Sequence, residues 1–348
     1  MESRTIDGEC CLVTGSAGFL GSHLVRALLA RGCTVHGVDR AKPSYEHERL
    51  RWFEVDIRDQ AALRDACDGV DTIFHTAALI ETFTFAPRRL AELVRGVNVD
   101  GTRALLDVAS RQGVKRFVHT SSIITAWGQD TQGADESTPY STGKDLYSST
   151  KVASERLVLR ASDATASGGM LTCAIRPGGI YGPGERNLMV GPMVEAIKQG
   201  VPVITFGDGT ALIDYTYIDN LVDAQTRAAE RLVPGSPVCG EAYFVTDGQP
   251  INTGAFSVKL VEHMGIKTRH VRVPSRVAQT VAAVGERFYR AFGRPKPVLS
   301  VMTVRMCDVD NYFSIGKAKR DLGYEPLVDT NEGLRRTAIE ARQYYDSL

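Results

Sequence analysis

A glycine-rich turn near the N-terminus constrains the fold of this chain more than any other feature. Residues 10–13 are apolar, and Gly15, Gly18 and Gly21 follow them at three-residue spacing before an apolar helical pattern begins. Glycine tolerates positive φ and lets a ligand approach the main chain, and a helix N-terminus favours phosphate. This order of strand, turn and helix predicts a dinucleotide-binding unit; the alternative is a strand–helix turn that binds nothing.

Apolar strand patterns and helical patterns alternate along the first half of the chain. Predicted strands cover residues 10–13, 34–39, 51–56, 70–76, 115–122 and 171–176, and predicted helices cover 60–67, 87–112 and 145–160. Strands that are apolar almost throughout, when separated by helices, form parallel sheets with helices on both faces. The predicted fold class is therefore α/β, a Rossmann doubly wound parallel sheet with a smaller discontinuous C-terminal substrate-binding domain.

The alternation becomes irregular after residue 182, which indicates a second structural unit. We assign residues 1–182 to a Rossmann domain that binds the dinucleotide, and we expect 214–247 to return to it through a strand at 241–246. Residues 183–213 and 248–330 form the predicted substrate-binding cap, and 331–348 form a C-terminal helix. Ligands of such sheets bind at the carboxyl ends of the strands, so we expect the cap to cover those ends.

Composition indicates which binding partners and which cellular compartment to expect. The 348 residues include 41 Lys and Arg against 41 Asp and Glu, so no net charge favours binding to nucleic acid. The seven cysteines form no CxxC pair and no metal-ligand spacing, which predicts no metal site and a reducing, cytoplasmic location. The N-terminus lacks the apolar core of a signal peptide, and no apolar run reaches the length of about 18 residues that predicts a membrane span.

The segment 277–292 is the most amphipathic part of the second half. Val277, Val281, Val284, Phe288 and Phe292 share one helical face, and arginines cluster toward the C-terminal end. We expect this face to pack against the rest of the protein, as in an ordinary surface helix. A peripheral membrane contact is the alternative.

An acidic residue, Asp39, ends the second predicted strand. In dinucleotide folds a carboxylate about 20 positions after the glycine turn hydrogen-bonds the adenosine ribose, and it would repel a 2′-phosphate. The predicted cofactor is therefore NAD rather than NADP, although Arg40 could pair with a 2′-phosphate. Ala77, Ser122 and Pro177 also stand at predicted strand ends, where cofactor and substrate would meet.

A tyrosine and a lysine provide candidate acid–base chemistry. Tyr147 and Lys151 are separated by four residues on a predicted helix, which places them on one face a turn apart. A free tyrosine is a poor base at neutral pH, and a neighbouring ammonium lowers its pKa toward the useful range. The hydroxyl of Ser122 could hydrogen-bond a substrate oxygen. The alternatives are a surface tyrosine stacked on a lysine stem and a serine that caps a turn.

The combined motifs resemble the extended short-chain dehydrogenase/reductase superfamily over nearly the whole chain: the glycine turn with Thr14, then Asp39, Ser122, Tyr147 and Lys151. The resemblance implies hydride transfer on NAD(P). It implies that Tyr147 exchanges the substrate proton, that Lys151 lowers the Tyr147 pKa and holds the nicotinamide ribose, and that Ser122 orients the substrate oxygen. It also implies a homodimer that forms through the helices at 87–112 and 145–160.

Segments 71–78, 170–177 and 310–326 are similar to the 3β-hydroxysteroid dehydrogenase/isomerase branch, especially its bacterial members. That branch oxidises the 3β-hydroxyl of a steroid or sterol to a ketone with NAD, and some members also shift a Δ5 double bond to Δ4. The implied cofactor contacts are Gly15, Gly18, Phe19, Leu20, Gly21, Asp39, Arg40, Asp56, Ile57, Ala77, Ala78, Asn98, Thr120, Tyr147, Lys151, Pro177, Gly178 and Ile180.

One residue departs from the pattern of the nucleotide-sugar enzymes in this superfamily, and it bears on the substrate. Nucleotide-sugar enzymes of the superfamily usually carry an arginine that grips the diphosphate, at the position that is Ile213 here. An apolar substrate suits the surrounding residues better. The predicted substrate contacts are Glu81, Phe83, Phe85, Trp127 and Tyr181; the alternative for the Phe and Trp side chains is that they pack the interdomain cleft.

Several functional hypotheses remain beside the steroid dehydrogenase. The second is a reductase of another hydrophobic ketone, of the 2-alkyl-3-oxoalkanoate or flavonoid type. A nucleotide-sugar epimerase or dehydratase comes third because of Ile213. A non-catalytic dinucleotide sensor is disfavoured by the intact Tyr147 and Lys151. For double-bond isomerisation, Glu81 and Asp100 are considered and neither is assigned.

Overall fold

The structure is a computed structural model that describes residues 4–128, 131–143, 145–163 and 169–348. Its strands are β1 (Cys10–Thr14), β2 (Thr34–Asp39), β3 (Leu50–Glu54), β4 (Thr72–His75), β5 (Arg116–Thr120), β6 (Thr131–Ala134), β7 (Leu171–Pro177), β8 (Gly179–Tyr181), β9 (Val203–Phe206), β10 (Leu212–Ile213), β11 (Tyr215–Tyr217), β12 (Ala242–Val245), β13 (Ile251–Asn252), β14 (His270–Val273) and β15 (Asn311–Phe313).

Seven of the described strands form a parallel sheet in the order β12-β7-β5-β4-β1-β2-β3. β1 pairs with β2 on one side and with β4 on the other, so that Cys11 stands opposite both Val35 and Thr72. The chain therefore winds outward in two directions from β1. A switch of this kind leaves a crevice at the carboxyl ends of β1 and β4, where doubly wound sheets bind ligands. The predicted Rossmann sheet is confirmed.

Helices cover both faces of this sheet. The α-helices of the described chain are α1 (Phe19–Ala30), α2 (Gln60–Ala66), α3 (Arg88–Arg95), α4 (Thr102–Arg111), α5 (Leu146–Arg160), α6 (Val190–Lys198), α7 (Ile218–Arg231), α8 (Thr253–His263), α9 (Ser275–Phe292), α10 (Val301–Met306), α11 (Gly316–Leu322) and α12 (Thr330–Ser347). Carboxylate caps begin three of them, since Asp59 accepts the N–H groups of Ala61 and Ala62, Asp145 accepts that of Ser148, and Asp329 accepts that of Glu332.

The segment predicted as one helix at 87–112 has a wider turn inside it. A π-helical stretch, Gly96–Gly101, joins α3 to α4 without a break in the helical path. Turns of this kind are rare and occur often at functional sites. Here the stretch carries Asn98, whose side chain is buried.

The second half adds short strands and a layer of helices beside the main sheet. β12 joins the main sheet next to β7, whereas the smaller sheets of the described chain have the orders β13-β10-β15-β6, β11-β8 and β14-β9. Aromatic rings fill the space between them, as the stacked rings of Tyr215 and Phe256 show with centroids 3.9 Å apart. α12 packs directly on this cluster, because a Cβ at Gly333 would lie 2.5 Å from the Tyr181 hydroxyl oxygen.

α9 does not pack in the way that its sequence predicts. Its apolar face at Val277, Val281, Val284, Phe288 and Phe292 is exposed, so the expected packing of that face is wrong. The helix instead packs through small residues, Ala278 and Ala282, and through Glu286, all of which are buried. Periodicity identified the apolar face correctly, but small side chains allow the opposite face to approach the protein more closely.

No helix within the described residues has both the length and the apolarity needed to cross a membrane.

Candidate active site

A cavity of about 560 Å³ opens at the carboxyl ends of β1, β2, β4, β5 and β7. The predicted cofactor residues that line it are Gly15, Gly18, Phe19, Leu20, Gly21, Asp39, Arg40, Asp56, Ile57, Ala77, Ala78, Thr120, Tyr147, Lys151, Pro177, Gly178 and Ile180, and Ser122 lines it too. These residues come from segments far apart in sequence. The parallel sheet brings them together because all its strand ends meet at one edge.

The glycine turn has almost no room for side chains. Gly15 has a φ of 70°, and a Cβ placed there would lie 3.0 Å from the Cα of Ala77. A Cβ at Gly21 would lie 2.0 Å from the carbonyl oxygen of Gly15, which forbids any side chain without movement of the main chain. Among the residues that the structure describes, none caps the N-terminus of α1 with its side chain. The bare backbone at the start of this helix is the arrangement that binds a pyrophosphate.

Asp39 lies beside this turn and also holds it. One carboxylate oxygen of Asp39 accepts the N–H of Ala17 at 3.0 Å, and the other accepts the N–H of Ala41 at 3.0 Å. Farther along the wall, Arg58 binds the Asp56 carboxylate through two nitrogens. This pairing lowers the pKa of Asp56 to about 2. An arginine bound to Asp56 thus balances the charge of that carboxylate, whereas in the described part of the chain the Asp39 carboxylate accepts only backbone N–H groups.

Tyr147 and Ser122 meet at the inner end of the cavity. The Ser122 hydroxyl hydrogen-bonds the phenol, which lowers the Tyr147 pKa, while burial and the charge of Asp145 raise it. Burial is the largest effect, and the pKa of Tyr147 rises to about 12. Ser122 also caps the short 3-10 helix Ile123–Ala126 by accepting the N–H of Ile124 at 3.3 Å. The Ser122 side chain can therefore cap this turn and still orient a substrate oxygen beside Tyr147.

Lys151 is almost completely buried one turn farther along α5. Its Nζ donates to the carbonyl oxygen of Thr120 at 2.5 Å. Burial lowers the pKa of Lys151 to about 8, although the negative charge of Glu155 opposes that shift. Burial therefore dominates the Tyr147 pKa here, while the Lys151 ammonium is bonded to Thr120. That Lys151 lowers the Tyr147 pKa stays a prediction.

A buried ion pair lies behind Lys151, and sequence reasoning did not find it. Arg176 binds both oxygens of Glu155, with Nε–Oε2 and Nη2–Oε1 distances of 3.0 and 2.6 Å. The pair holds the Glu155 pKa below its usual value. The signal was present in the sequence, because Tyr147, Lys151 and Glu155 recur every four residues on one helical face. The partner could not be identified, since Arg176 comes from β7.

Asn98 does not line the cavity; it holds a segment that does. Its side-chain oxygen accepts the N–H of Leu79 at 2.8 Å, and its amide nitrogen donates to the Leu79 carbonyl at 3.0 Å and to Thr150 Oγ1 at 3.1 Å. Leu79 itself lines the cavity. Asn98 therefore joins the π-helical stretch, the segment after β4 and α5. This is a positioning role, distinct from the direct cofactor contact that was predicted.

A buried histidine continues this network under the glycine turn. His75 Nδ1 lies 2.7 Å from Thr14 Oγ1, and His75 Nε2 lies 2.9 Å from Thr102 Oγ1. Thr102 donates its proton to the carbonyl of Asn98, so it accepts from Nε2, and Nδ1 accepts from Thr14. Burial and the Lys151 charge lower the pKa of His75 to about 3. The neutral ring thus ties β1, β4 and α4 together beneath the cavity floor.

The predicted substrate contacts lie elsewhere. Phe85 and Trp127 line a second cavity of about 1380 Å³, which shares Met302 with the first. Glu81 is buried with its Oε2 3.0 Å from Lys296 Nζ, and Phe83 is buried against the ring of Tyr289. Among the described residues, Glu81 and Phe83 do not belong to the lining of either cavity.

Tyr181 lies in the protein core instead of the site. It is completely buried, and its hydroxyl donates to Asp247 Oδ2 at 2.8 Å. The side chains that do line the first cavity near Tyr147 come from the segment after β4, the segment before α6, and α10: Leu79, Ile80, Thr82, Leu188, Met189, Met302 and Met306. Most are apolar, which fits an apolar substrate.

The family model and the relatives found by sequence agree on one family. The model of the 3-beta hydroxysteroid dehydrogenase/isomerase family matches residues 12–275. A 3 beta-hydroxysteroid dehydrogenase/Delta 5→4-isomerase of Mycobacterium tuberculosis is 41% identical, over 97% of this chain and 90% of the relative. A 3-beta-hydroxysteroid dehydrogenase of Mycolicibacterium neoaurum is 37% identical, over 97% of this chain and 91% of the relative. Among solved structures, MoeE5 in complex with UDP-glucuronic acid and NAD is similar, with a TM-score of 0.76 and 26% identity over 97% of this chain and 99% of that chain.

Proposed function

The chain belongs to the 3-beta hydroxysteroid dehydrogenase/isomerase family, and from that membership we propose that it oxidises the 3β-hydroxyl of a steroid or sterol to a ketone with NAD. It is an oxidoreductase that acts on CH–OH groups. The observation that carries the proposal is the meeting of Ser122, Tyr147 and Lys151 in a cavity that has the glycine turn on one side and apolar side chains on the other.

The residues of the cavity divide the work between cofactor and substrate. The glycine turn would hold the pyrophosphate, and Lys151 would hold the nicotinamide ribose. When bound, the dinucleotide supplies the hydride acceptor. Ser122 would orient the substrate oxygen, and the Tyr147 phenol would exchange its proton. With its pKa raised to about 12, Tyr147 carries its proton at neutral pH in this structure. Oxidation therefore requires positive charge near the phenol, and Lys151, with a pKa of about 8, is charged at pH 7.

A substrate panel tests this function directly. The enzyme is incubated with NAD and with 3β-hydroxysteroids and sterols, and NADH absorbance is followed. The 3α epimers serve as matched controls. We expect turnover of the 3β compounds alone, and product analysis reveals whether the double bond also moves from Δ5 to Δ4. Turnover of other secondary alcohols or reduction of β-keto acids, with no turnover of any steroid, would contradict the substrate assignment and favour the hydrophobic ketone reductase.

The nucleotide-sugar alternative has structural support from MoeE5 but meets an obstacle in this chain. Ile213 is buried, with 6% of its surface exposed, and lies in β10 between β13 and β15. An apolar side chain in a sheet cannot bind a diphosphate as an arginine would.

No carboxylate is assigned to double-bond isomerisation. Glu81 pairs with Lys296, and Asp100 pairs with Arg103.

We predict that Asp39 determines the preference for NAD over NADP. In Asp39→Asn, one amide oxygen can still accept the N–H of Ala17, while the charge that would repel a 2′-phosphate is lost. The ratio of kcat/KM for NAD to that for NADP should fall by at least about tenfold. The control Asp56→Asn removes a carboxylate already paired with Arg58, so its ratio should stay within about threefold. An unchanged ratio in Asp39→Asn would show that another residue selects the cofactor.

A further inference from the structure

Three separate segments make the apolar side of the first cavity: residues 79–82 after β4, residues 188–189 before α6, and α10. We call these three segments the substrate wall. The first two are neither helix nor strand. Irregular segments lack the regular hydrogen bonds of helices and sheets, so other groups must accept their backbone N–H protons. The position of the wall therefore depends on the side chains that supply those acceptors.

Glu286 of α9 supplies acceptors for two of the three segments. Its side chain is completely buried, and its Oε2 accepts the N–H of Thr84 at 3.0 Å and the N–H of Phe85 at 3.1 Å. Its Oε1 accepts the N–H of Val301, the first residue of α10, at 2.8 Å. The two oxygens of one side chain thus fix the segment after β4 and the start of α10 to the same point of α9.

Glu185 holds the third segment in the same way. Its side chain is almost completely buried, and its Oε1 accepts the N–H of Asn187 at 2.7 Å and the N–H of Leu188 at 2.6 Å. Its Oε2 accepts the N–H of Met189 at 2.8 Å and the N–H of Val190 at 2.5 Å. Four consecutive backbone N–H groups, two of them from the substrate wall, therefore converge on one carboxylate.

We propose that Glu185 and Glu286 are positioning residues for the substrate, because their carboxylates hold the substrate wall in place near Tyr147. The inference rests on the proposed function, since it concerns the same cavity. A buried carboxylate is costly unless its oxygens are hydrogen-bonded, and hydrogen bonds to an ionised acceptor are stronger than neutral ones. Within the described residues neither glutamate lines the first cavity, so each acts on the substrate through the backbone that it holds.

Glutamine variants of the full chain test the proposal. Glutamine keeps the shape of the side chain, but its amide nitrogen cannot accept a hydrogen bond. Glu286→Gln therefore leaves either the segment after β4 or α10 without its acceptor, and Glu185→Gln does the same to half of residues 187–190. In each variant the KM for the substrate that the panel identifies should rise at least about fivefold, while kcat and the KM for NAD stay within about twofold, because contacts made equally in the ground and transition states affect KM alone.

Asp247→Asn is the matched control. Asp247 is also a buried carboxylate, and it accepts the backbone N–H of Tyr217 at 2.8 Å in the protein core, away from the substrate wall. Both KM values should stay within about twofold in this variant, because distant sites act independently. A fivefold rise shared by Asp247→Asn would mean that loss of any buried carboxylate loosens the enzyme, which overturns the proposal.

Amide hydrogen exchange reports the position of the wall without any substrate. Residues 84–85 or residue 301 should exchange at least about tenfold faster in Glu286→Gln, and residues within 187–190 should do so in Glu185→Gln, whereas β5 and α5 should exchange as in the unaltered chain. The proposal requires both effects, so an unchanged exchange rate or an unchanged substrate KM overturns it. If the unaltered chain turns over no steroid, the proposed function fails instead, and the KM comparison is made on the alcohol or ketone that is turned over.

Discussion

Replacing Tyr147 with phenylalanine is expected to lower kcat by about a thousandfold, within the range that general acid–base catalysis contributes. The substitution removes the hydroxyl that hydrogen-bonds Ser122 and leaves the ring that fills this part of the cavity. Proton exchange with the substrate oxygen would then have no side-chain partner at this position. Initial rates of NADH formation measure the effect on the substrate that the panel identifies.

The Tyr147→Phe result is interpretable only if binding and folding survive. NADH affinity, followed by fluorescence titration, should stay within about threefold, because backbone and ribose contacts provide most of the binding. Tyr45→Phe is a matched control, since the buried Tyr45 hydroxyl has no hydrogen-bond partner within the described ranges and lies outside the cavity. If Tyr147→Phe keeps more than a tenth of the activity, the acid–base assignment fails whatever the substrate is.

The sequence predicted the main sheet well because its signals are local. The glycine turn, the apolar strands and the helices between them are each recognisable within about a dozen residues. Once the sheet is parallel, its geometry requires Asp39, Ala77, Ser122 and Pro177 to meet at one edge, and the structure has all four around one cavity. The cofactor side of the site was therefore predictable from residues and topology together.

The substrate side was less predictable because its contacts are not local. β8, β10, β11, β13 and β15 have two or three residues each, and they are strands only because distant partners pair with them. Tyr181 follows Gly178 and Ile180, which line the cavity. Side chains alternate between the two faces along β8, so Tyr181 points into the core, where its hydroxyl donates a hydrogen bond to Asp247. Likewise, periodicity shows which residues of α9 share a face but not which face contacts the protein.

The electrostatics of the site illustrate the same limit. The spacing of Tyr147 and Lys151 shows that they are neighbours, but the sign of the Tyr147 pKa shift depends on burial, which the sequence does not specify. Glu155 and Arg176 had no recognisable relation before folding, although their ion pair lies directly behind Lys151. Burial makes the charge of Lys151 costly even though Glu155 lies nearby, and this cost has a measurable consequence.

Replacing Lys151 with methionine is expected to make the protein more stable and almost inactive. Burial lowers the Lys151 pKa from 10.5 to about 8, so the folded state disfavours the charged amine. Each pKa unit corresponds to about 1.4 kcal/mol, and the lost hydrogen bond to Thr120 offsets about 1 kcal/mol. The free energy of unfolding at pH 7 should thus rise by about 2 kcal/mol. The rate of hydride transfer should fall by about a hundredfold, because the positive charge beside the reacting groups is gone.

The pH dependence gives this prediction its sharpest test. Below pH 8, Lys151 is charged in both the folded and the unfolded chain, and the full penalty applies. Between pH 8 and 10.5 the Lys151 amine has lost its proton in the folded chain but retains it in the unfolded chain. The free energy of unfolding therefore rises with pH over this interval. Chemical denaturation should show this rise in stability with pH in the unaltered chain. The control Lys115→Met should show it too, because it replaces an exposed lysine that pairs with Asp71 at the surface. Lys151→Met should lack it. A less stable Lys151→Met at pH 7, with an unchanged pH dependence, would mean that the hydrogen bond to Thr120 outweighs the cost of burying the charge.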